Sequence, residues 1–158
     1  MPLDKLSHPQ QARAWFDNIP IQNQYTVGIA GEVFFRGLMD GKLLAAHCQE
    51  CGRTFLPPTL YCGNCFSTSG EWREIVPHGV IDTFTVVHLD LEDNRLEQPE
   101  LIALVRFEGC EGGLIHRLGE IDAAQVEVGM PVEVVFRPPQ EREGSILDIA
   151  HVRPLTKS

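Results

Sequence analysis

The chain of 158 residues is short of positive charge: 13 lysines and arginines, only three of them lysine, stand against 22 aspartates and glutamates, for a formal net charge of −9. Binding to nucleic acid irrespective of sequence draws most of its free energy from neutralising phosphates with Lys and Arg. The arginines here are scattered with no basic stripe, so tight oligonucleotide binding is not expected. No apolar run is long enough to span a membrane, and Met1 to Phe16 holds none long enough for a secretory signal. A cytoplasmic, reducing location is the expectation. Also missing are a Gly-rich phosphate loop, a nucleophile elbow and paired histidines at helical spacing. No internal repeat or low-complexity tract occurs. What the chain does have is 14 glycines, 11 prolines and an apolar fraction of 43%. These predict many turns and short strands around a real core, in one ordinary domain or a small module joined to a medium one.

Four of the five cysteines form two close pairs, Cys48 with Cys51 and Cys62 with Cys65. Each pair places its sulfurs on one tight turn, and the excursion between pairs suits a short hairpin that brings the turns together. Four thiolates then surround one metal tetrahedrally. Gly52 follows the first pair and Gly63 lies inside the second, where N–H groups swing toward sulfur. Two disulfides would need an oxidising compartment, and a redox motif comes singly in a strand-to-helix setting. A single structural Zn2+ per chain is therefore predicted, with iron in the same sulfur set equally allowed by the spacing. His47 is read as a strand residue, because four cysteines already complete the tetrahedron. Cys110 lies in a predicted hairpin turn between Glu108 and Glu111, which disfavour a thiolate, so it is read as a free loop thiol.

Ahead of the cysteines, Ser7 and Gln10 make a capping box for a helix whose apolar face is Ala12, Trp15, Phe16 and Ile19, closed by Pro20. A second helix is predicted over Gly31 to Met39, with Val33, Phe34, Phe35, Leu38 and Met39 apolar and Asp40 and Gly41 as its stop. These faces have no obvious core of their own. They bury either on the chain's later domain or on another protein, which makes Trp15, Phe16, Phe34 and Phe35 candidate interface anchors. Strands are predicted over Lys42 to His47, Arg53 to Leu56 and Glu71 to Val76. Five more follow over Val80 to Leu91, Leu101 to Phe107, Leu114 to Leu118, Val132 to Phe136 and Ile146 to Val152, with one helical turn near Asp122 to Val126. Five antiparallel strands with a small helix after the third match the layout of an OB-fold, a small Greek-key barrel. The predicted architecture is mainly β: an N-terminal helical segment over 1–41, a rubredoxin-like zinc ribbon over 42–70 and a five-stranded OB-fold domain over 71–158.

Phe34-Phe35-Arg36-Gly37-Leu38 with Gly41-Lys42-Leu43, the four cysteines, Phe55-Leu56-Pro57-Pro58, Glu71-Trp72 and Gly129-Met130-Pro131-Val132-Glu133-Val134 carry a resemblance across roughly Val33 to Pro154. In order and spacing the chain resembles the zinc-ribbon plus OB-fold family associated with acyl-CoA metabolism. The resemblance implies N-terminal helices and a ribbon ahead of an OB domain, and a non-catalytic subunit assembled with a thiolase-superfamily enzyme. Such a subunit bridges or completes the partner's active site, and some members line the tunnel for the CoA pantetheine arm. Family members often carry an arginine directly after the paired prolines; this chain has Thr59 there, and Val76-Pro77-His78-Gly79 in place of a Ser-Gly-Arg-Gly-like turn.

Three function classes follow. An enzyme is disfavoured, since the zinc has four protein ligands and no open position, and the acidic run Asp90, Glu92, Asp93, Glu97 and Glu100 is read as a solvated loop. His88 and His116 are read as structural or surface strand residues. A single-stranded nucleic-acid-binding OB-fold, with Phe84 and Phe107 as stacking platforms, is the alternative; both positions suit the barrel core equally well. The favoured reading is an accessory subunit of a thiolase-like acyl-CoA enzyme, with Arg36 and Arg53 as candidate contacts to CoA phosphates or members of surface ion pairs.

Overall fold

The computed structural model describes residues 26–155. The first predicted helix, with Trp15 and Phe16, lies outside them. Helix α1 spans Gly28–Met39, three residues longer at its start than expected. Its first residue follows Val27, which offers no side-chain cap, so the start has no capping signature to read. Its stop is as expected: the Gly41 N–H reaches the Leu38 carbonyl at 2.9 Å and the Lys42 N–H the Gly37 carbonyl at 2.8 Å, the paired bonds of a Schellman ending.

Two sheets follow. The ribbon sheet runs β3 (Glu71–Ile75), β1 (Leu43–His47), β2 (Thr54–Leu56), β6 (Glu111–Gly112). The segment 71–75, assigned by sequence to the barrel domain, thus pairs with β1 across its whole length, Leu43 against Ile75 to His47 against Glu71. The second sheet is a closed five-stranded barrel in the order β4 (His78–Leu89), β5 (Arg95–Phe107), β7 (Leu114–Leu118), β9 (Ile149–Pro154), β8 (Pro131–Phe136). Its inward alternation is that of the sequence: Leu101, Ala103, Val105 and Phe107 of β5 are all buried. A 3-10 turn at Ala123–Gln125 stands where the helical turn was predicted.

β5 begins six residues earlier than expected, so Glu97 and Glu100 lie in a strand and only Asp90, Glu92 and Asp93 in the turn. Both faces of this outer hairpin meet solvent, so no apolar alternation marks it. Asp90 organises the turn by accepting the N–H groups of Glu92 at 2.9 Å and Asn94 at 2.8 Å.

Ribbon and barrel share one continuous core. Leu43, Ala45 and Leu56 cluster with Ile81, Val105 and Phe107, and with Phe34 and Leu38 of α1. Phe34 is only 5% exposed. It was a candidate partner anchor; burial in the chain's own core takes it out of that role and contributes about 2 kcal/mol to folding. Phe107 is likewise buried and presents no stacking face, while Phe84 is partly buried against the core. Among the described residues no helix is long and apolar enough to cross a membrane.

The last strand also differs. Ile146–Asp148 is a 3-10 turn, with β9 beginning at Ile149. Asp148 is 2% exposed and accepts N–H groups from Glu143 at 2.9 Å, Gly144 at 2.8 Å and Ser145 at 3.2 Å. Burial works to raise its pKa, but the three donors outweigh it and hold the carboxyl below its ordinary range. Its stabilisation is complete above the unfolded pKa of about 3.9 and is lost as pH falls through the lower folded value. Asp148→Asn sets an amide against those donors; we expect a loss of about 2 kcal/mol at pH 7 in urea denaturation, and less as the pH falls through that window.

Candidate metal centre

Cys48 ends where β1 stops and Cys62 follows the cis Leu56–Pro57 bond and the loop that returns toward the first knuckle. The first knuckle is closed by the Gly52 N–H on the Cys48 carbonyl at 2.8 Å, the second by the Phe66 N–H on the Cys62 carbonyl at 3.0 Å. An isolated bridge between Tyr61 and Thr68 holds the second loop. The result brings all four Sγ atoms within 4.8 Å of one another, with Cys48 and Cys65 at 3.5 Å and Cys51 and Cys62 at 3.5 Å. Zinc–sulfur bonds of about 2.3 Å give a tetrahedron edge of about 3.8 Å, so the sulfurs stand at ligand spacing. Cys48 and Cys62 are buried, Cys51 half-buried and Cys65 exposed.

The sulfurs are also dressed for charge. The Asn64 N–H reaches Cys62 Sγ at 3.4 Å and the Cys65 N–H at 3.5 Å. The Ser67 hydroxyl sits 3.2 Å from Cys48 Sγ and 3.0 Å from Cys65 Sγ, a contact the sequence reading missed. Ser67 pulls the Cys48 thiol down to about 6, helped by the Cys51 N–H. The Cys65 N–H leads in holding Cys62 below the ordinary thiol range. Cys51 goes the other way: the Arg53 N–H favours its thiolate, but burial and the neighbouring sulfurs outweigh it and push it up to about 11. Four thiols this close cannot all ionise alone, and a dication removes the conflict by binding the four thiolates. His47 is outside the set; its ring meets Thr54 Oγ1 at 3.0 Å within the sheet. Among the described residues these cysteines are the group whose ligand atoms converge as a metal site does.

The other candidates are dispersed. Arg36 is bound to Glu32 through two nitrogens at 2.9 and 2.7 Å on the exposed face of α1. Arg53 pairs with Glu111, tying the first knuckle to β6. Phe35 is partly buried beside Phe34, ring centroids 5.7 Å apart. His88 and His116 lie in β4 and β7, the latter held below its usual pKa by burial. Cys110 follows a turn in which its N–H meets the Phe107 carbonyl at 3.1 Å. Burial, rather than the flanking carboxylates, raises its pKa. It lines a broad open depression of about 1210 Å³ on the barrel wall, together with His78, Arg106, Ile115 and Leu155.

The junction between ribbon and barrel is made at β6. The Gly113 N–H donates to the Leu56 carbonyl at 2.8 Å, and Phe55 and Leu56 pair in parallel with Glu111 and Gly112. A two-residue parallel bridge leaves no pattern in sequence, so it was not foreseen.

Comparison with known proteins agrees with this architecture. Residues 35–70 match the model of the ChsH2 rubredoxin-like zinc ribbon domain, and residues 72–137 that of the ChsH2 C-terminal OB-fold domain. A DUF35 domain-containing scaffold protein of Methanocaldococcus jannaschii is 31% identical over 97 residues, which cover 60% of this chain and 67% of the relative. The crystal structure of a DUF35-family protein of unknown function from Sulfolobus solfataricus superposes with a TM-score of 0.63 at 32% identity, over 80% of this chain and 84% of that one. A chain of the solved Ltp2-ChsH2(DUF35) aldolase shares the fold, with a TM-score of 0.59 at 23% identity over 77% of this chain and 91% of that one. With four convergent cysteines on a ribbon that leads into a closed five-stranded barrel, the chain belongs to the DUF35 family and has its ChsH2-type zinc ribbon and OB-fold domains.

Proposed function

We propose that this chain is a non-catalytic accessory subunit of a thiolase-superfamily acyl-CoA enzyme, where it bridges or completes the partner's CoA and acyl site. The observation that carries this reading is the closed donor set. Four cysteine sulfurs at ligand spacing leave a metal no position for water or substrate, so a zinc held by Cys48, Cys51, Cys62 and Cys65 shapes the chain and activates nothing. The scaffold name of the Methanocaldococcus relative and the aldolase assembly of the ChsH2 relative support the same role. In this reading the partner supplies the nucleophile and the acid-base groups, and this chain orders the substrate entrance. Arg36 and Arg53 would meet CoA phosphates by exchanging Glu32 and Glu111, an inexpensive exchange between exposed groups. A cytoplasmic location would keep the four ligand thiols reduced for metal binding.

Co-expression with a thiolase-superfamily enzyme from the same genome tests the role. We expect the two to co-purify, and a fluorescent single-stranded oligonucleotide to bind this chain poorly at moderate salt. Failure to co-purify, with tight salt-sensitive oligonucleotide binding, would move the assignment to a nucleic-acid-binding OB-fold.

A further inference from the structure

The two cysteine knuckles are built alike. In the first, the Cys48 N–H donates to the Arg53 carbonyl and the Gly52 N–H to the Cys48 carbonyl, both at 2.8 Å. In the second, the Cys62 N–H donates to the Ser67 carbonyl at 2.8 Å and the Phe66 N–H to the Cys62 carbonyl at 3.0 Å. Gly52 and Phe66 therefore hold the same place, and both are left-handed, with φ of 74° and 61°. Glycine adopts that backbone freely and phenylalanine does not. Phe66 gains nothing from burial in return: it is 80% exposed, and Tyr61, just ahead of the same knuckle, is 62% exposed. Within the isolated chain Phe66 holds an unfavourable backbone with no burial of its ring to offset it.

The stretch around it is distinctive in charge. Charged residues make up 22% of the chain, yet none occurs from Thr54 to Gly70. Exposed aromatic residues in a stretch without Asp, Glu, Lys or Arg side chains match the composition of the core of a protein–protein interface. A nucleic acid stacks on aromatics beside cations, and a lipid surface calls for several flanking Lys or Arg; this stretch supplies none, and the one adjoining cation, Arg53, is paired with Glu111. The geometry points to Phe66, flanked by Tyr61, as an anchor that inserts into an uncharged apolar pocket on the partner enzyme subunit. The inference rests on the accessory-subunit reading and names the surface that makes the contact. A side chain carried on a backbone already held by the knuckle's hydrogen bonds costs only its own rotamer freedom on docking, which suits an anchor.

The test uses the full chain and its co-expressed thiolase-superfamily partner, with Phe66→Gly and Phe66→Asn. Glycine and asparagine both accept the left-handed backbone, so each variant is expected to carry one zinc and to melt no lower than the wild type. Its complex with the partner is expected to weaken about tenfold or more. Variant complexes as tight as the wild type overturn this inference alone, whereas a wild-type chain that forms no complex overturns it together with the accessory role. Zinc loss and a lower melting temperature in both variants overturn it by making Phe66 structural. Phe66-dependent flotation with phosphatidylcholine–phosphatidylglycerol vesicles, or Phe66-dependent dimerisation of the chain alone, overturns it in favour of a lipid surface or a second copy.

Discussion

A Cys62→Ser chain is expected to purify without zinc and without a folded ribbon. Cys62 is 1% exposed, stands 3.5 Å from Cys51 and receives two backbone N–H groups. A serine hydroxyl at that point remains protonated at neutral pH and is a poor zinc ligand, so the remaining three thiolates keep an incomplete shell. The two knuckles, at the end of the ribbon away from the shared core, have little else to hold them. β2 has three residues and β6 two, and β1 meets β2 through only the pairs Ala46 with Phe55 and His47 with Thr54. A β1–β2 hairpin this short is marginal by itself, whereas zinc bound by such a site contributes about 10–16 kcal/mol of apparent free energy at neutral pH. Elemental analysis should find about one zinc per wild-type chain and almost none in the variant. Thermal melting should fall by a margin too large for a surface substitution. A variant that keeps its metal and its melting temperature would contradict a structural zinc.

The second large effect is expected at the junction. A methyl group on Gly112 would overlap the Leu56 carbonyl oxygen, and the residue has φ of 86°. Contact with backbone cannot be relieved by a rotamer change, and alanine is strained at that φ in any surroundings. Gly112→Ala should therefore cost about 3 kcal/mol or more. The added methyl meets Leu56 and no cysteine, so zinc content is expected to stay at one per chain while urea denaturation moves to lower concentration. The variant separates two contributions, since Arg53 still offers its ion pair to Glu111. An unchanged midpoint would mean that the β2–β6 bridge does not hold ribbon and barrel together.

How far the sequence could be read follows from the range of each interaction. Ligand spacing is local, so Cys48, Cys51, Cys62 and Cys65 were legible as one site before any fold was known. The barrel was legible because one face of each strand is buried, and Leu101, Ala103, Val105 and Phe107 record that face residue by residue. Arg95 to Glu100 leave no such record, since both faces of their hairpin meet solvent. Phe34 announced that it would be buried without saying where, and only the shared core shows that this chain supplies the cover. Asp148 carried a capping signature, Ser145 three residues ahead of it, hidden in an apolar run that reads as strand. The Ser67 contact to Cys48 and the β6 bridge depend on residues brought together from separate parts of the chain, which no short pattern encodes.

The accessory role is tested most directly by activity. Purified thiolase-superfamily partner, assayed with its acyl-CoA substrate while this chain is titrated in, should gain activity and saturate at a fixed molar ratio, and the Cys62→Ser chain should fail to raise it. A partner fully active alone and indifferent to the added chain would contradict the account.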